Sequence, residues 1–357
     1  MAITEFLRVG MIIPTSGPAG LFGPSCRNCA DLAVLEINMQ GGIGRRLLKL
    51  VYVDAGPKPS EVAAVIRTLI DNDVIEAMIG MHDSDVRRAV IDANKTRVPY
   101  FYVSPYEGGE NTSGVFVLGE TPQQQLKPVI PWLMENRGAK HWYLIGNDYS
   151  WPRQLHGMAK KYIEDSSGDV VAQHFVPFQE TDFSSYINDI QERKPDCVMV
   201  SLVGESSIAF NRVFDDEALA KEVLRFGPLM EENTLMALGP DRGQNLLTAA
   251  GYFTDVKEPE NVDFQARYLE QYGPNAPVIT SLSQSCYEGL LLLREIAAKA
   301  ASIDVAALTN VAEGLCYRSP RGSTEIRNNH AVRNIHLAES DGPGFNIVTT
   351  FNDVVPS

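Results

Sequence analysis

Hydroxyl, aromatic and carboxylate side chains recur in this sequence directly after short apolar runs, and that placement is where its chemistry would lie. Thr15 and Ser16 follow the first run, Gly80, His82, Asp83 and Ser84 the third, and Ser104, Pro105, Tyr106 and Glu107 the fourth. Further along, Asp148, Tyr149 and Trp151, then Gly204 and Glu205, then Met230 and Glu231 stand in the same relation to later runs. Hydroxyls and backbone amides donate and accept hydrogen bonds without reacting, and aromatic faces keep water from those bonds. Such a set suits recognition of a small polar molecule. Taken singly, each residue has a plainer role: Ser84 as a helix cap, Trp151 as core, Asp83 and Asp148 as caps or solvated surface.

Signatures of catalysis are missing. There is no G-x-S-x-G elbow, no Gly-rich loop ending in Gly-Lys-Ser or Gly-Lys-Thr, and no H-E-x-x-H pair. Gly41-Gly42-Ile43-Gly44 precedes a strand pattern instead of following one, so it reads as a turn. Cys26 and Cys29 form a C-x-x-C, but no second thiol pair accompanies them for zinc and no aromatic residue introduces them, so they read as packing residues. The six histidines are scattered. No catalytic residue, metal or cofactor is expected; the rival reading is a small-amide hydrolase using Glu205 or Asp83 as base.

The runs that would position these residues alternate with helical patterns. Strands are expected at 7–13, 48–53, 75–79 and 99–103, and helices at 30–40, 60–70 and 86–94 between them. A second series follows Gly119: helices at 123–135, 152–164, 183–193 and 206–214, and strands at 142–145, 170–176, 197–202 and 224–228. Alternation of this kind implies parallel strands joined by crossover helices, whose ligands sit beyond the carboxyl ends of the strands. The stretch 106–121 interrupts the rhythm where a closed barrel would continue it, so two open sheets are expected. Helices at 263–272 and 280–301 then precede a tail, 323–355, whose polar alternation reads as antiparallel edge strands.

Composition narrows the class. The 357 residues suffice for two domains, and no run approaches the roughly 18 apolar residues that a membrane-spanning helix needs. A formal net charge of -14 disfavours direct binding to nucleic acid. The N-terminus enters a strand pattern without the features of a secretion signal, and five cysteines leave one unpaired in any disulfide scheme. Both features lead to the expectation of a cytoplasmic protein; the alternative is a periplasmic protein whose signal has been removed.

Three segments carry a family resemblance: Tyr102-Val103-Ser104-Pro105-Tyr106-Glu107-Gly108, Ile145 to Arg153, and Asn328-Asn329-His330. With the opening strand and Ser16-Gly17, the stretch from Ala33 to Gly44 and Asp54, they make the chain resemble the type I periplasmic-binding-protein family over nearly its whole length. Within it, the AmiC-like amide-sensing regulators and the urea and short-chain-amide binders are nearer in pattern than the branched-chain amino-acid receptors. The resemblance implies two doubly wound, Rossmann-like α/β lobes joined by a three-segment hinge, 1–119 plus 252–327 and 120–251 plus 328–357, closing over a ligand. It implies ligand contacts from His82, Ser84, Tyr102, Ser104, Pro105 and Tyr106 on the first lobe, and from Tyr149, Trp151, Gly204, Glu205 and Met230 on the second. His82 stands where the amide sensors have an aromatic residue, and Glu205 where they have a small hydroxyl residue. A carboxylate there would also welcome an amine or an amino acid. The implied partner is a regulator protein or an ABC permease, with a homodimer as a further expectation.

Overall fold

The computed structural model describes residues 6–239 and 241–356. These form two compact units, one running to Glu120 and resuming at Lys257–Arg333, the other comprising Thr121–Val256 and Asn334–Val355. The chain therefore passes from one to the other three times.

The first unit opens with β1 (Phe6–Ile13), α1 (Gly23–Met39), β2 (Leu47–Asp54), α2 (Pro59–Asp71), β3 (Ala77–Gly80), α3 (Ser84–Asn94), β4 (Tyr100–Tyr102) and β5 (Val115–Val117). The second contributes α4 (Pro122–Leu126), α5 (Val129–Arg137), β6 (His141–Asn147), α6 (Ser150–Asp165), β7 (Asp169–Val176), α7 (Ser184–Arg193), β8 (Cys197–Ser201), α8 (Glu205–Asp216), β9 (Leu224–Phe226), α9 (Glu232–Leu238) and β10 (Leu246–Ala250). The return to the first unit brings α10 (Pro259–Tyr272), α11 (Ser281–Ala300), α12 (Val305–Ala312), β11 (Cys316–Ser319) and β12 (Gly322–Arg327). β13 (His330–Asp341) then crosses back, and β14 (Gly344–Val354) ends the order.

In the first unit the strands run β2-β1-β3-β4-β5-β13, all parallel where paired, with β12 antiparallel to β13 and β11 to β12. β1 is flanked on both sides, which is why its sequence is an almost unbroken apolar run. Helices α2 and α3 cover one face, where Val62, Ile66, Val86 and Val90 pack on Ile12 and Met78. Helix α11 lies along α1 and against β3 and β4. In the second unit the order is β7-β6-β8-β9-β10, parallel throughout, closed by β13 running antiparallel to β10. Leu126, Ile130, Leu133 and Leu155 of α4 to α6 fill one side of that sheet, Ile187, Ile190, Phe210 and Phe214 of α7 and α8 the other. Both units are thus doubly wound α/β sheets.

Local chemistry sets the helix starts. Asp83 caps α3 by accepting from Val86 N at 2.8 Å, and Thr121 with Gln124, and Thr280 with Ser283, form reciprocal capping boxes at α4 and α11. The helix expected at 123–135 is divided into α4 and α5 around Pro128, which cannot donate to the preceding turn and crowds its carbonyl. The short elements β5, α9, β10 and α12 are additions to the expected order. The tail also differs from expectation: β13 is an interior strand, buried along most of its length, and only its partners β12 and β14 carry the polar alternation of an edge.

A fully buried ionic network lies where two of the crossings leave the first unit. Arg321 meets Glu120 at 2.7 Å and Glu288 at 2.8 Å, and Arg333 lies 3.4 Å from Glu288, all four side chains at most 1 % exposed. Two cations balance two carboxylates, and Tyr317 donates to Glu288 at 2.8 Å. Charge pairing of this completeness is what permits four ionised groups to sit out of water.

Candidate functional site

Parallel pairing puts the carboxyl ends of β1, β3 and β4 on one edge of the first unit's sheet, and the turns that leave it are tied down individually. Asp54 at the end of β2 accepts from Thr15 N, Gly56 N and Ser16 Oγ, the last at 2.6 Å. These donors hold its carboxyl down at about 2 despite partial burial. Ser16 is thereby committed to its own loop.

At the end of β3, His82 is 4 % exposed and both its ring nitrogens are engaged. Nδ1 lies 3.1 Å from the Asp83 carbonyl and Nε2 2.9 Å from the Tyr100 hydroxyl. A carbonyl only accepts, so Nδ1 carries the hydrogen and Nε2 accepts from Tyr100. Burial pushes the ring's pKa down to about 4, which keeps it neutral. Tyr102 donates to the His82 carbonyl at 2.6 Å. Tyr106 is paired in the same manner: its hydroxyl meets His330 Nε2, while His330 Nδ1 lies 2.7 Å from the Asn328 carbonyl. Arg87, one turn into α3, lies over the rings of Tyr102 and Tyr106 and binds Glu107 at 2.8 Å together with Glu110. That clamp holds the 104–110 loop to α3.

What remains uncommitted in this cluster is short. Ser84 and Ser104 are buried, and neither Oγ has a hydrogen-bond partner among the described residues; Ser104 Oγ lies beside the Tyr102 phenol without meeting it in bonding geometry. Ser84 is the first residue of α3, so its hydroxyl sits at the positive end of an eleven-residue helix. Two glycines make this packing possible. A Cβ on Gly80 would come within 2.6 Å of His82 Nε2, and one on Gly119 within 1.6 Å of the Ser104 carbonyl oxygen. Pro105 is half-buried between the two tyrosines of its segment.

In the second unit the carboxyl edge carries the turns after β6, β8, β9 and β10. Asn147 joins the first two, accepting from Val203 N at 2.8 Å and donating to the Pro177 carbonyl at 3.0 Å. Tyr149 caps α6, half-buried, its ring 5.0 Å from that of Phe178 and 6.4 Å from that of Trp151. Trp151 packs into the core beneath α4 to α6, and its indole N–H has no partner among the described residues. Gly204 adopts φ 59°, ψ -127°, a conformation open only to glycine, and turns the chain into α8. Glu205, the first residue of that helix, is exposed, whereas Met230 is core packed with Leu235, Leu246 and Phe253. The buried carboxylates of this edge are instead Glu231 and Glu232 after β9. Burial raises Glu232 to about 7, and its Oε1 accepts from Thr254 N at 3.3 Å.

The first-unit residues expected from the sequence, His82, Ser84, Tyr102, Ser104, Pro105 and Tyr106, thus converge on one sheet edge, while the second-unit set falls on three neighbouring turns. Arg87, Tyr100, Asn147 and Glu232 were not expected as site residues; Asn147 lies within the segment Ile145 to Arg153 and Glu232 adjoins Glu231, but only contacts distant in sequence show what they do. A groove of about 610 Å³ in the first unit, lined by residues such as Glu36, Arg267, Tyr287 and Arg318, contains none of these residues. Among the described residues no group of His, Cys, Asp and Glu is arranged to hold a metal, and no helix is long and apolar enough to cross a membrane.

The family profile described as periplasmic binding protein matches residues 7–344. The chain belongs to the periplasmic binding protein family. It is 22% identical over 324 residues to Leu/Ile/Val-binding protein homolog 7 of Brucella suis, covering 85% of this chain and 79% of that one. In fold it matches the solute-binding protein of an ABC transporter from R. palustris solved with benzoate, with a TM-score of 0.87, 22% identity and coverage of 99% and 98% of the two chains. It also matches a leucine-binding protein from Thermotoga maritima, with a TM-score of 0.86, 17% identity and coverage of 97% and 99%. The two-lobe fold of type I members is therefore that of this chain.

The family membership corrects the cytoplasmic expectation: family and transporter-linked relatives point to the periplasm. The odd cysteine count misled because four of the five free thiols, Cys26, Cys29, Cys197 and Cys286, are buried packing groups. A thiol whose burial raises its pKa, as at Cys29 and Cys197, is poorly reactive in any compartment.

Proposed function

We propose that this protein is the solute-binding component of an ABC transporter and that its solute carries a carboxylate. The observation that carries the reading is two buried, unpartnered hydroxyls in the turns at the carboxyl edge of the first unit's sheet, Ser84 at the positive end of α3 and Ser104 after β4. Every other polar side chain of that cluster already has a partner, so these two hydroxyl donors await an acceptor. The solutes named for the matched solved structures, benzoate and leucine, both bear a carboxylate. On this reading Pro105, Tyr102 and Tyr106 shape the first unit's contribution, and His82 supports it from behind. Tyr149, Trp151, Gly204, Glu205 and Met230 are the contacts proposed for the second unit. The partner is then a permease.

A short-chain amide or urea, read out by a regulator protein, is the second reading. Its support is Glu232, whose carboxyl is half-protonated near neutrality and can bond a neutral polar group without demanding a cation.

A thermal-shift screen separates the two. A solute at 100 times its Kd stabilises by about 2.7 kcal/mol, a shift of several degrees. Hydroxybenzoates, benzoate and branched-chain amino acids are expected to give such shifts. A response to amides and urea alone would replace the first reading by the second, and silence across all classes would remove both. With a bound solute in hand, Ser104→Ala and Tyr149→Ala are each expected to weaken affinity by about 1–3 kcal/mol in calorimetric titration. Unchanged affinity in both would show that these residues do not bind it.

A further inference from the structure

We infer that Tyr100 is a positioning residue for solute binding, acting through His82 to hold the 81–84 turn so that Ser84 meets the solute. The inference rests on the reading of Ser84 as a solute contact. Tyr100 lies in β4, is completely buried, and directs its hydroxyl at His82 Nε2, 2.9 Å away. The imidazole passes that constraint on through Nδ1–H to the Asp83 carbonyl, and Asp83 is the residue whose side chain caps α3 at Val86 N. Tyr102, two residues along the same strand, holds the His82 carbonyl from the other side. The turn that ends in Ser84 is thus pinned at a ring, a carbonyl and a cap. The Ser84 hydroxyl spends no hydrogen bond on the arrangement.

The fit is tight because β3 ends in glycine. A Cβ on Gly80 would lie 2.6 Å from His82 Nε2 and 2.7 Å from the Tyr100 hydroxyl, so the tyrosine–histidine pair occupies the space that any larger residue would fill. The groups that face the imidazole are Asp83 and Arg87 from the α3 side and Tyr100 and Tyr102 from β4. Arg87 disfavours a second positive charge on the ring, although Glu107 and Glu110 neutralise much of its field. A neutral ring has one donor and one acceptor, and the fold uses both. Protonation would put a second donor at Nε2, facing a tyrosine hydroxyl that now has to turn and accept. The pinned turn is therefore expected to fail in acid, as His82 begins to titrate.

Tyr100→Phe removes the hydroxyl and leaves the ring. Nε2 then loses its donor, the neutral imidazole is less favoured, and His82 titrates at higher pH. Nitrogen NMR of histidine-labelled full-length protein is expected to show the Nδ1–H tautomer at His82 in wild type, with titration near 4, and a titration displaced upward in the variant. Amide exchange at Val86 is expected to quicken by about tenfold, the effect of one hydrogen bond's worth of support lost from the cap. Benzoate and L-leucine, titrated from pH 8 to pH 4, are expected to bind the variant about five- to tenfold more weakly at pH 7, with affinity falling away at a higher pH than in wild type.

An Nε2–H tautomer at His82 in wild type, or Val86 exchange and an acid limb identical in the two proteins, would overturn the inference; a merely structural tyrosine would lower the melting temperature without moving the acid limb. If neither probe binds wild type while His82 titration and Val86 exchange both respond to Tyr100→Phe, the pinned turn stands and the solute reading is what fails.

Discussion

Glu232 holds its carboxyl where water does not reach, and burial raises the pKa from an ordinary 4.5 to about 7. The sign of its effect on stability follows. Between those values the folded chain keeps the proton and the unfolded chain has lost it, so stability falls as pH rises through that window and does not recover above it. Glu232→Gln keeps an oxygen for Thr254 N and abolishes the ionisation. The variant is expected to be more stable than wild type by about 2–3 kcal/mol at pH 8 and nearly equal to it at pH 4.5, as read from urea midpoints. A pH-independent difference would mean the carboxyl ionises freely in the fold. At this scale little was visible beforehand: nothing in the sequence separates the buried Glu232 from the exposed Glu205, since both open a helix after a strand and only tertiary packing buries the former.

Among the elements, the close passage of the chain at Gly119 past the end of β4 fixes where the Ser104 loop lies. The Cβ that alanine would add meets the Ser104 carbonyl oxygen at 1.6 Å, backbone against backbone, with no flexible side chain to yield. Gly119→Ala is expected to cost about 2–3 kcal/mol in urea unfolding, within the range of an overpacked core, and to weaken solute binding as Ser104 shifts. Wild-type values of both would show that the loop relaxes freely. The strands and helices that carry the loops were legible because parallel, doubly covered strands need long apolar runs and crossover helices need a 3.6-residue period. β5 and β10 were not, being three and five residues long and stabilised by neighbours on both sides that local sequence does not reveal. β13 misled for the related reason that its interior position comes from pairing with β5, β10 and β12.

Over the whole molecule, three histidines are held neutral by burial: His82 down to about 4, His156 down to about 3, and His330 also below its ordinary value. His82 and His156 are protonated in the unfolded chain below about 6.5 but not in the fold, so their contribution to stability is complete above that pH and is lost as pH falls toward 4 and below, and His330 acts in the same direction. Urea midpoints are expected to fall steadily from pH 6.5 to pH 4, less steeply than the histidines alone would give because Glu232 acts in the opposite sense; a flat profile would show that the rings take up protons within the fold. The sequence by itself determined the α/β class, two sheets, the carboxyl-edge loops and the residues worth watching on them, because periodicity and punctuation are local properties that a chain carries before it folds. Tertiary structure alone decided which of those residues remain free. His82, Tyr102 and Tyr106 are taken up by Tyr100, by a backbone carbonyl and by His330, and Ser84 and Ser104 are left over, since a hydrogen bond between residues as far apart as 106 and 330 exists only once the sheet has brought them together.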